Sequence, residues 1–149
     1  MHWHASCAAW PRPDAADRDG PDAVLLLGAP GAGKSDFLLC LVDAGWQLVA
    51  DDQVTVTDGV ARAPAALAGL IEIRGLGIFR LPYVAQARLR LVVELGVQIE
   101  RLPAPRQYQA LGLPLVTIDP AQPSAVARCK IALDAACGRA ENIAGAFAP

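Results

Sequence analysis

The octapeptide GAPGAGKS, residues 28–35, sets Gly28, Gly33, Lys34 and Ser35 in the spacing G-x-x-x-x-G-K-S. Each residue type has a physical reason to be there. Glycines let the backbone curl until successive N–H groups point inward at phosphate oxygens, and a helix that follows turns its positive end toward the same anion. The Lys34 ammonium can reach β and γ phosphates, and the Ser35 hydroxyl can take a Mg2+ position. Gly28, Ala29, Pro30, Gly31, Ala32, Gly33, Lys34 and Ser35 are therefore candidates for holding a nucleoside triphosphate, ATP or GTP. A second group is the acidic pair Asp51-Asp52. One such carboxylate can hold Mg2+, directly or through water, while the other accepts the proton of an attacking hydroxyl. Adjacent residues leaving a strand point opposite ways, which suits two roles.

The surrounding sequence supplies the elements that position these groups. AVLLL, 23–27, is a continuous apolar run, as in a strand buried on both faces, and it leads directly into the glycine loop. KSDFLLCLVDA, 34–44, carries Phe37, Leu38, Leu41 and Val42 on one helical face, with Gly45 as a stop. WQLVA, 46–50, reads as the next strand. A helix of about eleven residues is ~16 Å long, close to the span of five extended residues. Strand 46–50 is thus expected to return beside 23–27 and to deliver Asp51 and Asp52 to the edge that carries the glycine loop. QVTVT, 53–57, alternates and stops at the hairpin signal Asp58-Gly59. Further strands are expected at 4–9, 89–95, 113–118 and 129–134, an exposed turn or loop at 11–22, and a last helix in the alanine-rich 135–147. The pattern is one βαβ unit followed mostly by strands.

Glu72 lies between Ile71 and Ile73 in LIEIRGLGIF, 70–79. Read as a buried carboxylate, it needs a cation, either Mg2+ or an arginine, and Arg74 is the nearest choice. Phe79, Leu81, Pro82 and Tyr83, beside Arg80, are read either as a docking surface or as ordinary packing.

Composition bounds the rest. The 149 residues fit one domain, 1–149. A hydrophobic fraction of 54% with 19% charged residues excludes disorder, and a net charge of −2 argues against nucleic-acid binding. Aromatics are only 5%, so the core must come from aliphatic side chains and alanine. Cys7, Cys40, Cys129 and Cys137 include no CxxC pair, and the histidines are His2 and His4, so reduced thiols are expected rather than a zinc site. With no signal peptide or apolar stretch of about 20 residues, no membrane association is expected, and a cytoplasmic location is the default.

HASCAAW, GAPGAGKSD, LVADDQV, LIEIRGLGIFRLP and ERLPAP, in this order, resemble the catalytic domain of HPr kinase/phosphorylase, in the short form found in alphaproteobacteria. The likeness runs from His4 to about Leu133, and LIEIRGLGIF is its most specific block. The resemblance implies an α/β fold: the phosphoenolpyruvate-carboxykinase-like P-loop domain, with a mixed sheet and few helices. It implies ATP and Mg2+ as cofactors and serine phosphorylation of HPr or an HPr-like phosphocarrier. By position it makes Asp51 the catalytic base, and the acid of the reverse reaction. Ser35, Asp52 and Glu72 fall on the metal side, and His4 beside the catalytic aspartate. Arg101 falls in a loop associated with dephosphorylation by inorganic phosphate. The longer members' N-terminal domain has no counterpart in this sequence. Their C-terminal helical region, which serves hexamer assembly and grip on HPr, is shorter here, and the loop after Arg101 reads LPAPRQY without glycine. A homo-oligomer is a further expectation. Two other readings fit the glycine loop, a P-loop kinase of small molecules and a nucleotide-sensing module without turnover.

Overall fold

The computed structural model describes residues 1–12 and 19–149. The expected loop at 11–22 falls largely on residues outside these. The strands are β1 (His2–His4), β2 (Ser6–Ala9), β3 (Asp22–Leu27), β4 (Gln47–Ala50), β5 (Gln53–Thr57), β6 (Val60–Arg62), β7 (Leu70–Ile73), β8 (Gly77–Arg80), β9 (Ala87–Leu95), β10 (Gln107–Tyr108) and β11 (Leu113–Ile118). Two α-helices join them, α1 (Lys34–Asp43) and α2 (Ala125–Ala136). The fold is α/β with a mixed sheet and few helices, as expected.

β3 is central, parallel to β9 on one side and antiparallel to β2 on the other. β2 also pairs with β4, so β4 does not lie beside β3 as the sequence suggested. The short strand β2, whose place depends on pairing far along the chain, separates them. Because β2 is antiparallel to both, β3 and β4 still run the same way and end at the same edge, and the expected meeting of the acidic pair and the glycine loop survives.

Ala5 alone interrupts β1 and β2, and Asp51-Asp52 alone interrupt β4 and β5. β1 pairs with β5, and β2 with β4, so these are two long kinked strands lying side by side. β5 continues through β6 to β9, and β9 returns to β3 and β2. The strands therefore close into a ring. Its interior is packed with Ala5, Cys7, Ala9, Ala23, Leu25, Val54, Ala61, Ala87, Leu89 and Val92. Val24, Leu26, Leu91, Val93 and Leu95 face outward, under α1 and α2. The turn from β5 to β6 has positive φ at Asp58 (51°) and Gly59 (77°), the two-residue hairpin geometry that matches sheet twist.

α1 ends as its sequence predicts. Gly45 is left-handed (φ 105°), its N–H reaches Val42 O at 3.1 Å, and the Trp46 N–H reaches Leu41 O at 3.0 Å. This is a Schellman closure, with Trp46 buried behind it.

The expected strand 129–134 is helical. Ala125, Cys129, Ala132 and Leu133, the buried residues of α2, repeat at helical rather than alternating spacing. The expected helix over 135–147 is not formed beyond Ala136: Gly138 turns left-handed (φ 77°), and the Asn142 side chain organises a turn by accepting the Phe147 N–H at 2.8 Å.

At the opposite edge from the glycine loop, Asp22 is 5% exposed. Burial pushes its carboxyl up, but Arg139 (2.9 Å) and Arg12 (3.0 Å), which donate to it, and Arg90 (3.8 Å) outweigh burial and hold it below the usual carboxylate value. A lowered carboxyl stabilises the fold above its unfolded value near pH 4 and loses that contribution as pH falls through the lower, folded one. Arg139→Ala is expected to cost about 2 kcal/mol at pH 7. In urea unfolding, the gap to the parent protein should narrow as pH falls below the unfolded carboxyl value of about 4 and Asp22 takes up its proton.

Candidate functional site

The glycine loop leaves the end of β3 and enters α1 through Gly33, whose φ of 94° is left-handed. Gly31 is left-handed too (φ 83°). Gly28 is needed for space, since a Cβ there would lie 2.9 Å from Ala32 Cβ. The first turn of α1 offers backbone N–H groups without intrahelical partners toward the loop. Lys34 folds back over it, with Nζ donating to Gly28 O at 2.9 Å, a neutral partner that an anion can displace.

Asp51 sits at the kink between β4 and β5, and it is half-buried. Its Oδ1 accepts from Ser35 Oγ at 2.6 Å and from Ser6 Oγ at 3.1 Å, and its Oδ2 accepts from the Glu72 N–H at 3.2 Å. Asp52 is different. It is exposed, its φ is 67°, and its N–H donates to Ser6 Oγ at 3.2 Å. The carboxylate pair is thus split by environment: one is engaged on both oxygens, while the other projects into a cavity.

That cavity has a volume of about 500 Å3 and is lined by Pro30, Gly31, Gly33, Lys34, Ser35, Asp36, Leu39, Asp52, Glu72, Ile73 and Arg74. Three carboxylates (Asp36, Asp52, Glu72) meet two cations (Lys34, Arg74) around it. This excess of negative charge disfavours a bare triphosphate more than one whose charge is partly neutralised by a divalent cation. Ser35 Oγ and Asp51 supply hard oxygen donors side by side, and Mg2+ is typically held by one or two carboxylates together with substrate phosphates. The residues fit the group.

Glu72 is exposed rather than buried, which corrects the sequence reading. β7 alternates: Ile71 packs into the core under α1, so Glu72 must face outward, into the cavity. No ion pair with Arg74 is formed among the described residues. β7 and β8 make a hairpin outside the main sheet. Its exposed apolar tip, with Leu76, Ile78 and Phe79, overhangs the cavity through Ile73 and Arg74. Tyr83 is also exposed, with its ring over Gly69.

His4, at the end of β1, is exposed, pairs with Gln53, and precedes Ala5, whose N–H donates to Asp52 O at 3.1 Å. It belongs to the strand beside the acidic pair but does not line the cavity. Arg101 lies in the exposed segment 96–106, which leaves β9 at the edge where the glycine loop begins. It is likewise outside the cavity lining. Ser6, not singled out from the sequence, touches both aspartates. The only sequence signal was one hydroxyl inside the small apolar run ASCAA.

Residues 22–136 match the family described as HPr Serine kinase C-terminal domain. The chain is 40% identical over 114 residues to the HPr kinase/phosphorylase of Aromatoleum aromaticum, covering 62% of this chain and 36% of that protein. It is 37% identical over 98 residues to HPr kinase/phosphorylase 1 of Oceanobacillus iheyensis, covering 60% and 32%. The chain spans about a third of the length of these relatives. The solved structure of the Hpr(Ser) kinase/phosphatase from Coxiella burnetii shares its fold, with a TM-score of 0.66 over 93% of this chain and 95% of that one, at 21% identity. Among the described residues no helix is long and apolar enough to cross a membrane.

The loop geometry carries its own test. An alanine at Gly33 meets only Pro120 Cγ, at 3.9 Å, so its cost lies in the backbone. Gly33→Ala is expected to lower unfolding stability by about 1–2 kcal/mol in urea titrations and to weaken binding of a fluorescent triphosphate analogue.

Proposed function

The chain belongs to the HPr serine kinase C-terminal domain family, and from that premise we propose that it transfers the γ-phosphoryl group of ATP to a serine hydroxyl of HPr or an HPr-like phosphocarrier. The observation that carries this reading is the position of Asp52. It faces the glycine loop, Lys34 and Ser35 across one open cavity, with both carboxylate oxygens free of the contacts that occupy Asp51.

The roles follow from these environments. The N–H groups of the loop and of the first turn of α1 hold the phosphates of ATP, from Gly28 to Ser35. Lys34 exchanges Gly28 O for a phosphate oxygen and balances charge that develops during transfer. Ser35 Oγ and Asp51 would hold Mg2+, with Glu72 as a further carboxylate at the cavity wall, and the ion would supply charge neutralisation for the phosphates. Asp52 takes the proton of the acceptor serine as the bond from serine oxygen to the γ phosphorus forms and the bridging bond to the β phosphate breaks. This exchanges the two aspartates relative to the reading by resemblance, which made Asp51 the base. Both oxygens of Asp51 are occupied by donors and Asp51 is not part of the cavity lining, so Asp52 is the carboxylate placed to meet an acceptor.

His4, next to Ala5 and Asp52 in the paired strands, is assigned to tuning the base. The reverse reaction belongs to the same proposal: inorganic phosphate attacks Ser-phosphorylated HPr, releasing the serine hydroxyl and pyrophosphate, with Asp52 returning the proton. Arg101 is assigned to that direction. The exposed apolar residues of the β7–β8 hairpin, Leu76, Ile78 and Phe79, offer a surface beside the cavity for a protein acceptor.

Incubation with ATP, Mg2+ and HPr should add one phosphoryl group to HPr, read by mass. Nucleotide binding with HPr left unmodified would overturn the proposal, and transfer to a small hydroxyl compound instead would favour a small-molecule kinase. Asp52→Asn should lower kcat by roughly 10²- to 10⁴-fold, while Asp51→Asn should chiefly raise the Mg2+ requirement. The opposite pattern would return the base to Asp51. Arg101→Ala should slow phosphorolysis more than phosphorylation, and equal effects would clear Arg101 of a special role.

A further inference from the structure

Among the described residues the buried polar or charged side chains are Ser6 and Asp22, and Ser6 is fully inaccessible. Asp22 is accounted for by its arginines. Ser6 lies where β1–β2 and β4–β5 kink together, opposite Asp51. A buried hydroxyl is costly unless its bonding capacity is used. Here both directions are used on the acidic pair: the proton goes to Asp51 Oδ1 at 3.1 Å, and the oxygen accepts the Asp52 N–H at 3.2 Å.

The second contact has a particular value. Asp52 has a left-handed backbone (φ 67°), uncommon for a residue with a side chain. Ala5 takes the Asp52 carbonyl in ladder fashion at 3.1 Å, but the Asp52 N–H is turned out of the ladder and meets Ser6 Oγ instead. The first contact matters for a different reason. Ser35 shares Oδ1 of Asp51, yet Ser35 is also the hydroxyl assigned to the cation. When Ser35 oxygen serves a cation, Ser6 and the Glu72 N–H still fix the carboxylate.

We propose that Ser6 is a positioning residue of the phosphoryl-transfer site: one hydroxyl sets the Asp51 carboxylate and holds the Asp52 backbone in the turn that aims its side chain into the cavity. The inference rests on the kinase reading above and concerns a residue that lies before the family-matched stretch 22–136. A serine that merely filled a bulge would affect stability alone.

The test uses the full chain and Mn2+ as the probe, followed by electron paramagnetic resonance with a non-hydrolysable ATP analogue present. Ser6→Ala should weaken Mn2+ binding roughly 10- to 100-fold, while analogue affinity in EDTA stays within about twofold of the parent. Ser6→Thr, which keeps the hydroxyl, should recover most of the loss. Turnover on HPr should fall in Ser6→Ala in parallel. Where alanine prevents folding, Ser6→Cys, close in volume and a weak donor, should show the same weakening. Mn2+ binding unchanged in a folded Ser6→Ala or Ser6→Cys protein would refute the role of Ser6 and leave the kinase reading standing. A parent protein that binds no metal–nucleotide complex would refute both.

Discussion

The hydrogen bond from Ser35 Oγ to Asp51 Oδ1, 2.6 Å long, fastens the start of α1 to the kink between β4 and β5. A hydroxyl donating to a carboxylate at this distance is a charge-assisted bond, among the stronger ones in a protein. The same carboxylate takes the Ser6 hydroxyl from the β1–β2 strand and the Glu72 N–H from the β7–β8 hairpin. Four parts of the chain, distant in sequence, thus meet on two oxygen atoms. The hairpin hangs over the cavity because its first strand is tied there, and Asp52 faces inward because its neighbour is held.

The ring of strands explains how such a junction can exist. A flat sheet would carry β4 straight into β5, with alternating side chains and every N–H in a ladder. Closure forces both long strands to bend at one place, and there the ladder opens. The groups released by the bend are the ones the site uses: the Asp52 N–H finds Ser6, and the two aspartates diverge. The helices do not make this bend. α2 covers the outer face of β9, β11 and β3, while α1 lies against β2, β4 and β7 and contributes its amino-terminal end.

Much of this was legible in residue types and local spacing. The glycine loop, the buried strand before it, the helix after it and the Gly45 stop are local features with strong chemical signatures. The arrival of Asp51 and Asp52 followed from matching element lengths, although the reason was incomplete: β2 intervenes between β3 and β4, and that pairing leaves no trace in adjacent sequence. CKIALD fits alternation and helical spacing equally, and only packing against β9 and β11 selects the helix. The isoleucines that flank Glu72 suggest burial, but in a hairpin that lies outside the main sheet one face is open. The different surroundings of the two aspartates come from Ser35 and Ser6 donating to the Asp51 carboxylate and not to that of Asp52, a matter of three-dimensional neighbours alone.

The ring also accounts for a composition poor in aromatics and rich in alanine. Ala5, Ala9, Ala23, Ala61 and Ala87, all nearly or wholly inaccessible, point into a lumen shared with Leu25 and Val92. A methyl group is what a bore this narrow admits at such positions, because any larger branch must push the opposing wall outward. Alanine is usually the residue to which others are replaced without consequence. In the lumen of this protein the small side chains leave room for Leu25, Leu89 and Val92 to meet across it, and Cys7 is accommodated among them.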